Sequence, residues 1–359
     1  MKRLVQAFSI IFAVSIGLIF YVNHLNNSQG YSSGNTLTIF NWGDYIDEDL
    51  ITEFEELYGV KVIYETFDSN EAMLTKIGQG GTTYDIAIPS EYTIEKMIDE
   101  DLLYEIDHSK ISNLQHIDPD FLDLAFDPGN KYSIPYFWGS VGIVYNPEIV
   151  GDMTFDSWDD LWNPELENEI LLTDGAREVL GFALNSLGYS LNDTNKDHLR
   201  EAVDKLNKLT PNIKAIIGDE IRQLIATGEA GVGVVWSGTY QEILWENEDV
   251  DFQYVVPKEG SNLWFDNMVI PKTAKNIEAA HQFINFMLDP EVAARNAEYV
   301  GYSSPNLTAL QYMDPEIVAD ESLYPGEEIK SNLEVYRNLG REMISYYNEL
   351  FLEFKIHRK

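Results

Sequence analysis

From Thr36 onward, short apolar runs alternate with stretches whose apolar residues recur every three or four positions. Leu37–Phe40 reads as a strand. Asp47 to Tyr58 places Leu50, Ile51, Phe54 and Leu57 on one helical face and meets a stop at Gly59. Lys61 to Phe67 is rich in β-formers. Ser69 to Ile77 reads as a helix with its N-cap near Ser69, and Tyr84 to Pro89 as a strand leading into a helix from about Tyr92 to Glu100. This strand–helix order predicts right-handed crossovers and a parallel sheet.

Lys131 to Tyr145 breaks the rhythm. It is extended, aromatic and Gly-rich and contains Pro135, as expected of a strand that leaves one lobe and enters a second. The alternation then restarts. Ile170–Leu172, Val232–Trp236 and Phe252–Val256 read as strands; Ala176–Leu187, Lys196–Leu209 and Asp219–Thr227 read as helices. After the apolar segment Trp264–Pro271 come helices over Asn276–Leu288 and Pro290–Val300, and a last one from about Leu333 to Phe354. The pattern predicts an α/β fold of two lobes, 36–141 plus 267–320 and 142–266 plus 321–359. More than one extended strand joins them as a hinge, and the cleft lies at the carboxyl ends of the strands.

Composition narrows the partners. The chain of 359 residues has 60 acidic against 24 basic side chains, a formal net charge of -36. Nucleic acid requires a basic surface and is excluded as a partner; anionic lipid is disfavoured for the same reason. Cationic ligands fit, because a negative field raises their local concentration. The absence of Cys removes disulfides, thiol nucleophiles and Cys-based metal sites. At the N-terminus, Lys2 and Arg3 precede an apolar run from Leu4 to Val22 and a polar linker over 23–34. We expect residues 1–35 to be a signal or membrane anchor, uncleaved, with the remainder outside.

The strand ends carry a recurrent chemistry. Trp42, Asp44 and Tyr45 follow the first strand, Ser90 and Tyr92 follow Pro89, Trp138 lies on the crossover, Glu178 follows Leu172, and Trp236 closes another strand. In Leu263–Asn267, Trp264 and Asp266 stand two residues apart and therefore on one face of a strand. Tyr302 follows Val300. Any one of these aromatics alone reads equally as core. Together they form aromatic walls beside carboxylates, the surroundings a polyammonium chain needs. Rings attract cations and cover methylenes, and carboxylates compensate the desolvated charge.

These segments resemble the spermidine/putrescine-binding proteins of polyamine ABC importers over essentially all of Thr36–Lys359. The marks are Asn41-Trp42-x-Asp44-Tyr45, Tyr84-Asp85 to Pro89-Ser90-x-Tyr92, Phe126-Asp127-Pro128, Tyr132 to Tyr136, Thr173-Asp174 to Ala176-Arg177-Glu178, Trp264-x-Asp266, and Gly301-Tyr302 to Pro305-Asn306. The resemblance implies a two-lobed periplasmic-binding-protein-like fold of type II, a monomer, no cofactor, and delivery of spermidine or putrescine to a permease/ATPase complex. It implies that Trp42, Asp44, Tyr45, Ser90 and Tyr92 line one side, Glu178 takes an amine from the other lobe, Trp236 and Trp264 flank the methylenes, Asp266 binds an amine and Tyr302 completes the wall. Gly175, Gly218 and Val335 depart from the family pattern, and Asp174 or Glu334 is expected to compensate.

Two rival readings stand beside this one. Aromatic platforms with carboxylates also suit an oligosaccharide. Paired carboxylates are the equipment of a glycosidase, but no P-loop, H-E-x-x-H or dinucleotide fingerprint is present, and the six His show no ligand-type spacing. The expectation is a binding protein and not an enzyme.

Overall fold

The computed structural model describes residues 35–357 except 81 and 219; the N-terminal segment read as a signal or anchor lies outside the described residues. Among the described residues ten strands are formed: β1 (Thr36–Trp42), β2 (Lys61–Phe67), β3 (Ile86–Ala87), β4 (Ser133–Tyr145), β5 (Ile170–Thr173), β6 (Ile213–Ile217), β7 (Val232–Trp236), β8 (Gln253–Val255), β9 (Ser261–Val269) and β10 (Leu333–Glu334). They lie in the order β2-β1-β3-β9-β4-β7-β5-β6, with β8 on β4 and β10 on β9. The principal helices are α1 (Glu48–Tyr58), α2 (Asn70–Gly78), α3 (Glu91–Asp99), α4 (Ala176–Asn185), α5 (Lys196–Leu209), α6 (Glu220–Ala226), α7 (Ser237–Glu246), α8 (Ile277–Met287), α9 (Pro290–Val300) and α10 (Gly340–His357).

The two arms of this sheet are parallel, as expected. β1 pairs with β2 and β3 on one side, and β5 pairs with β6 and β7 on the other. The middle is antiparallel at β3–β9, β9–β4 and β4–β7, so the sheet is mixed. The cause is the crossover itself. β4 pairs with β9 through Ser133–Ser140 and with β7 through Val141–Tyr145. β4 carries the chain one way between the arms and β9 carries it back. All thirteen residues of β4 are buried, in keeping with its aromatic and Gly-rich composition.

Each arm has helices on both faces. On the first, Leu37, Ile39, Leu50, Phe54, Met268 and Phe283 pack on one face, and Phe40, Met73, Ile94 and Phe265 on the other. On the second, Trp158, Leu172, Leu180, Leu206 and Phe354 lie on one face, and Val144, Ile225, Val235 and Phe252 on the other. The helix stops behave as their residues dictate. Asp47 caps α1 by accepting from the Asp49 N–H, and Gly59 ends it with φ 65°, a left-handed value that glycine adopts without strain. The last helix begins at Gly340 and not near Leu333: Leu333–Glu334 adds to β9, and Asn338 Oδ1 accepts the Gly340 N–H at the later start.

Candidate functional site

The site grows from β9. Strand alternation sends Trp264 and Asp266 to one face and Phe265 to the other. Trp264 joins the cluster that holds Tyr45 and Phe137, whereas Phe265 packs against Phe121 and Phe126 on the opposite face. Asp266 is 7 % exposed. Tyr45 Oη donates to its Oδ2 at 2.7 Å, and Ser90 Oγ donates to its Oδ1 at 2.7 Å. Burial nevertheless holds the Asp266 carboxyl up at about 6, against the lowering effect of those two donors.

Both donors are themselves held. Tyr136 Oη donates to the Tyr45 carbonyl at 2.7 Å and accepts from Asn296 Nδ2 at 2.8 Å. Ser90 stands at the N-cap of α3, yet its hydroxyl makes no cap bond. It is committed to Asp266 while accepting from Asn70 Nδ2 at 3.0 Å. The same Asn70 amide donates to Tyr92 Oη at 2.9 Å, and Asn70 Oδ1 accepts the Ser90 N–H at 3.1 Å. Asn70 therefore fixes the strand end and the helix start together. Nothing in the sequence marks it beyond its place after the Ser69 cap.

Aromatic rings enclose Asp266. Tyr302 meets the ring of Trp264 edge-on at 5.2 Å and 85°, and that of Tyr45 at 5.5 Å and 67°. Trp236, half-buried, packs against the cores of both arms. Trp42 lies against Phe67 with ring centroids 4.5 Å apart. The Nε1 atoms of Trp42 and Trp264 are buried and have no hydrogen-bond partner within the protein. Trp138 is core: it is 3 % exposed, and its Nε1 donates to the Ser304 carbonyl.

From the second arm comes Glu178, in the first turn of α4. Burial raises its carboxyl, with its own backbone N–H and Arg177 pulling the other way. Gly175 is needed for this placement, because a Cβ there would lie 2.0 Å from Glu178 Oε2. The departure at Gly175 thus gives Glu178 room to fold over the helix start. The expected compensating acids are occupied elsewhere: Asp174 accepts both Lys355 contacts, at 2.6 and 2.9 Å, and Glu334 accepts from Ser190 Oγ and, at 3.2 Å, the Leu191 N–H. Asp44 is exposed on a turn with φ 50°, where its charge acts on the Tyr64 hydroxyl. It is not brought onto Asp266.

The two arms touch around this site. A Cβ on Gly238 of α7 would lie 1.9 Å from Tyr302 Cε1, and a Cβ on Gly301 would lie 2.6 Å from Trp245 Cη2. Glu95 of α3 grips Arg337 through Nη2 at 2.7 Å and Nε at 3.2 Å, and also accepts the Asn338 N–H at 2.7 Å. α7 was not foreseen from sequence because Ser237-Gly238-Thr239 resembles a turn; the helix starts directly at the end of β7.

Between Ser90 and Tyr92 stands a buried acid that the sequence does not single out. Glu91 is fully buried in the first turn of α3, and its Oε2 accepts the Phe265 N–H at 3.0 Å. The sequence presents it as an ordinary first-turn helix acid.

Comparison with known proteins gives a consistent result. The family model for bacterial extracellular solute-binding proteins matches residues 49–325. The chain is 40% identical over 325 residues to the spermidine/putrescine-binding periplasmic protein of Escherichia coli, covering 90% of this chain and 92% of that one. It is 33% identical to the putrescine-binding periplasmic protein PotF of the same organism, covering 83% and 85%. Among solved structures, the spermidine/putrescine ABC transporter substrate-binding protein of Streptococcus pneumoniae, in complex with calcium and HEPES, is 57% identical. It superposes with a TM-score of 0.84, over 91% of this chain and 100% of that one.

Proposed function

Because the chain belongs to the bacterial extracellular solute-binding proteins, we propose that it binds a polyamine of the putrescine–spermidine class between its lobes and delivers it, outside the cytoplasm, to an ABC importer. It is a binding protein, not an enzyme: the matched relatives are named for what they bind. The observation that carries the reading is Asp266, a buried carboxylate held by Tyr45 and Ser90 and walled by Trp264 and Tyr302. A buried anion without a cation is costly, and an ammonium supplies the missing charge. The rings cover the methylenes at roughly 0.8 kcal/mol per CH₂ and add about 0.5–2 kcal/mol of cation–π attraction each. A neutral sugar would leave Asp266 uncompensated, which favours the polyamine over the oligosaccharide.

In this reading Trp42, Tyr92 and Trp236 extend the wall, Glu178 closes on a second amine from the other lobe, and Asp44 acts at the mouth. The lobes are 36–141 plus 267–320 and 142–266 plus 321–359, with β4 and β9 as the bending strands; the boundary falls on β9 itself, so Asp266, at its edge, is held by Tyr45 and Ser90 of the first lobe and faces Glu178 of the second. Ligand that touches both lobes favours the closed arrangement by its extra affinity for it. The closed protein, a monomer, then docks on the permease of its importer. The N-terminal segment ties it to the membrane; among the described residues, no helix is long and apolar enough to cross one. Calorimetric titration of the purified protein with putrescine, spermidine, spermine and maltose tests this. Heat with a polyamine and none with maltose is expected, and no heat with any polyamine would overturn the reading.

A further inference from the structure

Among the described residues, Glu91 is a buried acid at the site that the proposed amine contacts leave without a task. Its side chain has no solvent exposure. One carboxyl oxygen, Oε2, substitutes for a missing strand partner. β9 bridges to Ser90 at Asp266, and just beyond that bridge the Phe265 N–H turns to Glu91. The other oxygen, Oε1, is buried with no hydrogen-bond partner.

The charged and titratable groups facing Glu91 come from three other elements as well as its own. Asp266 on β9 repels its charge, and Arg177 on α4 attracts it. Tyr92, next to it on α3, and Tyr336, in the segment before α10, both feel the Glu91 carboxyl. Glu178 from the second arm acts on those same two tyrosines. Glu91 therefore lies where the two arms meet, in one electrostatic neighbourhood with the two carboxylates assigned to amines. Arg177 is committed elsewhere through both Nη atoms, while its Nε is buried without a partner. Its Nη2 donates to Asn192 Oδ1 at 2.9 Å, its Nη1 to the Arg337 carbonyl at 3.3 Å, and its guanidinium stacks over Tyr336 at 4.2 Å.

An ionised carboxylate in this position has one oxygen unsatisfied and a like charge nearby. It can be neutralised by a proton or by a cation, and the orphaned Oε1, buried in this structure, has no protein donor competing with either. We propose that Glu91 is a third carboxyl of the polyamine cleft, which carries a proton in the unliganded protein and releases it to solvent when an ammonium group enters. The exchange balances: neutral carboxylic acid plus bound cation gives carboxylate paired with cation, and one proton leaves to buffer. Burial, opposed by the Phe265 N–H, holds the Glu91 carboxyl up at about 8, so the proton is present at neutral pH. This inference rests on the polyamine reading and adds to it a proton coupling and a third anionic contact, which favours a triamine over a diamine as pH rises.

The test is calorimetry of putrescine and spermidine binding to the full protein at pH 7.5, in buffers of differing ionisation enthalpy. Asp266 is already ionised at this pH. We expect the wild type to release roughly three-quarters of a proton more than Glu91→Gln, which keeps an oxygen for the Phe265 N–H. Between pH 6.5 and 8, wild-type affinity should rise by up to about tenfold per pH unit, and that of the variant should stay flat. Equal proton counts and parallel pH profiles would overturn the role of Glu91 while leaving polyamine binding intact. No heat with either amine would overturn the binding reading itself. Should Glu91→Gln not fold, a ¹³C-carboxyl NMR titration of glutamate-labelled wild type decides. One glutamate with an inflection near pH 8 that spermidine abolishes supports the proposal, and its absence overturns it.

Discussion

At the scale of single residues, the site works by setting charge against burial. Asp266 retains two hydroxyl donors and still sits at about 6, so desolvation outweighs both hydrogen bonds. A cation binds the ionised form, so polyamine affinity should fall as pH drops through about 6 and recover above it; titrations at pH 5, 6 and 7 check this. Asp266→Asn removes the charge and keeps the shape. Loss of one partner of a buried charge pair costs about 2–5 kcal/mol, so affinity should drop by roughly one and a half to three and a half orders of magnitude with little change in melting temperature. Tyr45→Phe removes a donor to the carboxylate, worth about 1.5–3 kcal/mol, and should move the acid limb of the binding profile upward. The raised acids also act on stability without ligand. A folded-state value above the unfolded one means the native protein binds the proton more tightly, so stability is lost as pH rises through that window. For Glu91 the window runs from about 4.5 to about 8. The melting temperature of wild type minus that of Glu91→Gln should therefore decline over that range.

At the scale of elements, one glycine decides how closely the arms approach and another makes room for an acid within the second arm. Gly238 on α7 admits the Tyr302 ring, and Gly175 admits the Glu178 carboxylate. Gly238→Ala should leave each arm folded but hold them apart, weakening polyamine binding at least about tenfold. A larger radius of gyration in the presence of ligand, measured by small-angle scattering, would show it. Much of this level was legible in sequence. Periodicity placed β2, α5, β7 and α9 at their observed ends, because each is bounded by a cap, a glycine or a proline. Trp264 and Asp266 were legible as a pair because strand alternation is strict. What stayed hidden depends on long-range contacts. The sheet's antiparallel centre follows from where β4 and β9 lie, not from their composition. β6 and β10 are short strands without alternation. Glu91 and Asn70 look like ordinary helix-start residues until Phe265 and Ser90 are brought against them.

At the scale of the whole molecule, the formal charge of -36 sets the approach of a polycation. Association should slow as salt rises from about 20 to 300 mM, because the screening length shrinks below the dimensions of the cleft, while dissociation from the walled site changes little. Stopped-flow measurement of both rates separates the two. The Glu95–Arg337 grip between the arms is bidentate and half-buried, with the Asn338 N–H added. Glu95→Gln should loosen the closed arrangement and appear mainly as faster release.

The paired passage of β4 and β9 between the lobes has a mechanical consequence. The two strands pair with each other from Ser133 to Ser140, with a bulge at Tyr136, so the joint is a ribbon and not two separate strings. A ribbon flexes readily across its face and resists shear and sideways sliding. Opening therefore follows a single track, like the cover of a bound book. Any pair of fluorescent labels on opposite lobes should trace the same one-parameter curve as polyamine is added, wherever the pair is placed.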